Sequence, residues 1–176
     1  CDAHPDIGVA GCQVWQSANE IQRTCFRFPT ALSVSLQALG IDRLTRRCSR
    51  LPTTSLNQWD RRTERDVDVV SGMFFMIRRE LVGQIGLLDE SYFVYAEETD
   101  FCHRAAKAGW RRAFTPCARI LHTDGGGAST RQVSSAMFVQ LYKSLLIYLR
   151  KNRGVLSHLS ARALLIIAMG SRASFW

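Results

Sequence analysis

The sequence predicts an α/β protein. Apolar strand-like runs occur near residues 7–14, 67–77 and 110–122, and helix-patterned segments with start and stop signals lie between them. A hydrophobic fraction of 47% over 176 residues is enough for one real core.

In HPDIGVAGCQVWQ a Pro-Asp turn leads into Ile7, Val9, Cys12 and Val14, which predicts a strand. Pro29 then opens a predicted helix with Leu32, Leu36 and Leu39 on one side, ended by Gly40. Residues 42–66 are rich in Arg, Ser, Thr and Asp with little periodicity. They predict a long loop, either a mobile lid or a solvated connection.

VDVVSGMFFMIRREL is the most apolar run of the first 130 residues and predicts a strand covered on both faces. Gly72 weakens it, as glycine does where a ligand or another backbone comes close. A short helix over RRELVGQI ends at Gly86. AEETDFCHRAAKAGW carries acids in its first turn, where they offset the positive end of the helix dipole. Asp100 and Arg104 pair at i,i+4, and Gly109 sits at C′. WRRAFTP and CARILHT read as two short strands broken by Pro116, followed by the flexible GGGAST.

The last segment differs in character. Residues 1–124 hold 16 Lys+Arg and 15 Asp+Glu, whereas residues 125–176 hold seven Lys+Arg and no acid. FVQLYKSLLIYLRKNRG is amphipathic, with Phe138, Leu141, Leu145 and Leu149 on one stripe. ARALLIIAMG is apolar but spans only about half of the ~20 residues a membrane-crossing helix needs. Two readings fit: helices lying in a membrane interface, or a helical pair packed on another part of the chain. The chain therefore divides at 130, with a basic helical tail over 131–176. A basic tail seeks an anionic surface, and without a nucleic-acid motif or a basic stripe interleaved with rings in residues 1–124, nucleic acid is not the expected partner.

Six cysteines show neither C-x-x-C nor zinc-finger spacing, which predicts free thiols in a reducing cytosol. Residue 1 is Cys, and no signal segment opens the sequence.

Glu97, Glu98 and Asp100 cluster at a helix start beside Tyr92, Phe93, Tyr95 and Phe101. A rigid helix N-terminus can hold a general base, and adjacent acids raise one another's pKa. Rings could wall a sugar, while dipole compensation on a solvated surface is the plainer alternative. His122, at a strand end before Asp124 and three glycines, suits a metal or phosphate ligand, or a structural role.

In their order, VDVVSGMFFMIRREL, GLLDESYFVYAEETDFCHRAAKAGW and PCARILHTDGGGAST resemble the family 2 glycosyltransferases, especially rhamnosyltransferase-like members. The resemblance is strong over 67–130. It implies a partial GT-A fold with a mixed sheet and flanking helices. It also implies inverting transfer of a sugar from a nucleotide-sugar donor to a glycan or lipid-linked acceptor. Glu98 maps to the base position, which more often holds Asp, with Glu97 and Asp100 as fallbacks. Asp89, Glu90, Tyr95, Gly72, Arg104 and Trp110 map to the acceptor side, and His122 to a ligand of Mg2+ or Mn2+. The family's D-x-D motif is missing: Asp66-Val67-Asp68 has the letters but the wrong place. The expectation is thus the acceptor-side half of a transferase, inactive alone, cytoplasmic and held at the inner face of the cell membrane. A non-catalytic membrane-surface module is the alternative.

Overall fold

The computed structural model describes residues 4–17, 19–41, 52–122 and 134–173. A mixed sheet organises them. Its strands are β1 (Ile7–Ser17), β2 (Glu20–Ile21), β4 (Arg65–Asp66), β6 (Met76–Ile77) and β7 (Arg111–Leu121), in the order β2-β1-β7-β4 with β6 also on β1. β1 and β7 run parallel and the remaining pairs antiparallel. Two further strands, β3 (Cys25–Phe26) and β5 (Val69–Val70), pair antiparallel beside it. Among the described residues five helices complete the fold: α1 (Ala31–Ala38), α2 (Arg79–Ile85), α3 (Glu97–Lys107), α4 (Ser134–Arg153) and α5 (Val155–Ala173). The α/β class and mixed sheet expected from the sequence are present.

Local chemistry explains several departures from that reading. The run 67–77 is two short strands with a turn between them, because Gly72 falls in the turn. The two pieces around Pro116 form one strand. The register jumps from Cys12↔Thr115 to Gln13↔Arg119, so the extra residues of β7, Pro116 among them, bulge out of the ladder. Helix α1 starts after a Thr30 cap whose hydroxyl accepts from the Ser33 N–H, while Pro29 precedes the cap. Its buried face is Val34 and Ala38, and Leu32 and Leu39 point to solvent. Within 52–66, Thr53, Leu56 and Arg61 are buried and Leu56 and Trp59 are set against the sheet core, while 62–66 are exposed; residues 42–51, GGGAST and Asp124 lie outside the described residues.

Two apolar cores meet at α3. Phe101, Cys102 and Ala105 face the sheet, joining Val9, Val69, Val70, Leu81 and Phe114. Gly11 allows the close approach there: a Cβ on it would lie 2.6 Å from Val70 Cγ1. The second core is built by α1, the turn before α3 and the two last helices. It joins Val34, Ala38, Tyr92 and Ala96 to Tyr142, Leu145, Tyr148 and Leu149 of α4, and to Ala161, Leu165 and Ala168 of α5. The stripe predicted on α4 is thus largely interior, although Phe138 stays 42% exposed. Gly154 at φ 88° makes the corner between α4 and α5, a conformation costly for residues with a Cβ. Cys12, Cys25, Cys102 and Cys117 are free thiols, the first three buried.

Candidate active site

Helix α3 begins abnormally. Tyr95 (φ 66°) and Ala96 (φ 68°) both take the left-handed conformation, and no side chain caps the helix. Two consecutive non-glycine residues there cost about 1–2 kcal/mol each. The surroundings impose the shape: Ala96 is buried in the helical core, Ser144 Oγ donates to the Val94 carbonyl at 2.7 Å, and Tyr92 is buried with its hydroxyl on Asp100. The strained turn sets the direction in which the next two side chains, Glu97 and Glu98, leave the helix.

Those two carboxylates share an uncommon state. One oxygen of each, Oε2, is buried without a hydrogen-bond partner. Burial raises the Glu98 carboxyl to about 7, and the neighbouring charge of Glu97 adds to the rise. Backbone N–H groups of Glu98 itself, Gly72 and Thr99 pull the other way without cancelling it. Gly72, in the turn after β5, therefore brings its backbone N–H to Glu98, although a Cβ at this position would meet nothing within 4 Å, so the contact does not require a glycine. A carboxylate that titrates near neutrality with a free lone pair suits proton abstraction from a hydroxyl.

Asp100 is close in sequence and different in kind. It is 3% exposed and accepts from Arg104 Nε at 2.8 Å, Asn152 Nδ2 at 2.7 Å and Tyr92 Oη at 3.3 Å. Arg104 also donates to the carbonyls of Ile85 and Leu87. This pair ties α3 to the 85–88 loop and to α4. Asp89 accepts from Lys151 Nζ and the Ser91 N–H, and these hold its carboxyl down at about 2, the lysine contributing most.

The remaining candidates scatter. Glu90 is exposed on the loop and Tyr95 is half-buried. Trp110 donates from Nε1 to Gln84 at 2.7 Å and packs against the sheet core, joining α2 to β7. His122 is exposed just past β7, its N–H on the Trp15 carbonyl and its carbonyl accepting from Gln22. Among the described residues no group of three or more His, Cys, Asp or Glu could hold a metal ion, so His122 has no such companions there.

Several positioning residues escaped the sequence reading: Lys151 and Asn152 on α4, which hold Asp89 and Asp100, and Ser144, which holds Val94. They lie 50 to 62 positions from their partners, too far for any local spacing rule. The one available signal was the unpaired excess of basic residues in the tail.

Fold and site together define an α/β protein with a carboxylate pair poised at a strained helix start. Over 60 residues the chain is 43% identical to the N-acetylglucosaminyl-diphospho-decaprenol L-rhamnosyltransferase of Mycobacterium tuberculosis strain CDC 1551 / Oshkosh. The protein of the same name from strain ATCC 25618 / H37Rv gives the same figures. The match covers 34% of this chain and 20% of the relatives' length. No family model and no solved structure matches the chain. The similarity supports a relationship to a glycosyltransferase.

Proposed function

We propose that this chain carries the acceptor-side catalytic machinery of an inverting, family 2 glycosyltransferase of GT-A type, with Glu98 as general base. The observation that carries this reading is the raised, half-satisfied carboxylate of Glu98 at the strained start of α3. In the reaction, Glu98 removes the proton of an acceptor hydroxyl as its oxygen attacks the anomeric carbon of a nucleotide-sugar. The bond to the nucleoside diphosphate breaks on the opposite face, which inverts the configuration.

Glu97 sustains the high proton affinity of Glu98 by its charge. Asp100 and Asp89 position the turn through α4. A requirement for Mg2+ or Mn2+ enters this reading only through the family resemblance at His122, which among the described residues has no further metal ligands beside it. The partial relatives' name suggests a nucleotide-linked L-rhamnose as the first donor to assay and a polyprenyl-diphosphate-linked sugar as the first acceptor. A lipid-linked acceptor would place the reaction at the inner face of the cell membrane, with the protein peripheral. Consistent with this, no helix among the described residues is long and apolar enough to cross a membrane.

The test is sugar transfer by the whole gene product and by its Glu98→Gln variant. A loss of about 10²–10⁴ in kcat with donor affinity retained is expected. Unchanged turnover would remove Glu98 from the role of base.

A further inference from the structure

Helix α5 has two apolar faces. Ala161, Leu165 and Ala168, at i, i+4 and i+7, are buried against α1 and α4. The opposite face carries Leu156 (85% exposed), Leu159 (51%), Ile166 (66%) and Ile167 (68%), with Val155 beside them at the first turn. Four uncovered Leu and Ile within about three turns of one helix are more than a soluble surface ordinarily shows, and a helix with two apolar faces belongs against protein or lipid on both.

Charge selects between these occupants. Residues 125–176 contain seven Lys+Arg and no Asp or Glu. Arg150 and Arg162, on or next to this helix, are exposed. A second copy docked on the same face would bring a basic, acid-free segment against its own copy. An anionic phospholipid surface offers both the apolar depth and the opposite charge. The helix has 19 residues, roughly 28 Å at 1.5 Å per residue, which suits a cylinder lying flat.

We infer that α5 is an in-plane membrane anchor whose outward face, Leu156, Leu159, Ile166 and Ile167, sinks into an anionic lipid surface while its inward face stays in the protein core. This rests on the membrane-face reading above and names the surface that makes the contact. The sequence expectation offered both tail helices to the lipid; the α4 stripe is largely interior, which leaves the outward face of α5.

The experiment is vesicle flotation of the protein with phosphatidylcholine vesicles, with and without phosphatidylglycerol, beside the double variant Leu159→Asp, Ile166→Asp. The wild type is expected to float with the anionic vesicles, less so at high salt. The variant should lose at least about tenfold in partitioning with its melting temperature unchanged. Leu159→Gln with Ile166→Gln, judged the same way, covers the case in which the aspartates unfold the chain. Equal flotation of wild type and variants would overturn the inference and leave the membrane reading to another surface. No flotation of the wild type would overturn both. A wild-type dimer dispersed by the substitutions, without flotation, would make this face a self-interface and also overturn it.

Discussion

Glu98 and Asp100 sit two residues apart on one helix, yet their surroundings are opposite. Asp100 faces the helical core and has three donors on its oxygens, from Tyr92, Arg104 and Asn152. Glu98 lies against the turn at Gly72 with one oxygen unpartnered and its proton affinity raised. A carboxylate buried with protein donors on both oxygens is a fastener, because its charge is already balanced and it is closed to a substrate. One left short of donors is less stable as an anion and more ready to accept a proton. The difference follows from the side of α3 each residue occupies.

The sharpest way to break this contrast is stability, because the two carboxylates should respond with opposite signs. Replacing Asp100 by Ala leaves buried donors from Arg104, Asn152 and Tyr92 without their acceptor and should cost about 3 kcal/mol in urea unfolding. Replacing Glu98 by Gln should stabilise the fold at pH 8 by roughly 2–3 kcal/mol and do little at pH 4. The sign follows from linkage. A carboxyl raised in the folded state from 4.5 to about 7 contributes stability below the unfolded value, and loses it as pH rises through the folded one. A loss of similar size in both variants would erase the distinction.

His103 extends the comparison to the interior. Its Nδ1 lies 2.6 Å from Tyr148 Oη, its ring sits against Phe28, and burial lowers its pKa to about 4. A base depressed from 6.5 contributes stability above its unfolded value and loses it as pH falls through the folded one. His103 should therefore take about 2–3 kcal/mol from stability between pH 7 and pH 4, against the opposite contribution of Glu98 over the same range, so the test is the difference: His103→Gln should gain on the wild type as pH falls from 7 to 4.

The smallest effect belongs to Lys151. Its pair with Asp89 is partly exposed, so Lys151→Met should cost less than about 1 kcal/mol in the same unfolding assay. The Asp89 carboxyl should meanwhile rise from about 2 toward the ordinary range, readable by NMR titration.

Much of this was legible in the sequence where the signal was local. The acids of the α3 first turn, the Asp100–Arg104 pair and Gly109 (φ 85°) follow spacing rules within one helix. The terminal glycines of α1 and α2 did too. What could not be read was set by distant packing. Leu32 and Leu39 are larger than Val34 and Ala38, so α1 looked as if it should bury the leucines; the tight approach of α4 and α5 selects the smaller face. Gly72 looked like a flaw in a strand because the turn it occupies, whose backbone meets Glu98 26 residues on, breaks the apolar run in two. Asn152, likewise, gains meaning only when α4 crosses Asp100.

Glu98 is held ready to take a proton near neutral pH. Carboxyl ¹³C chemical shifts followed against pH, with Glu98→Gln to assign the resonance, measure it on the chain itself. Glu98 is expected to show a midpoint of about 7, well above that of Asp89 in the same spectra. A midpoint at the ordinary 4.5 would show a solvated surface acid and contradict it.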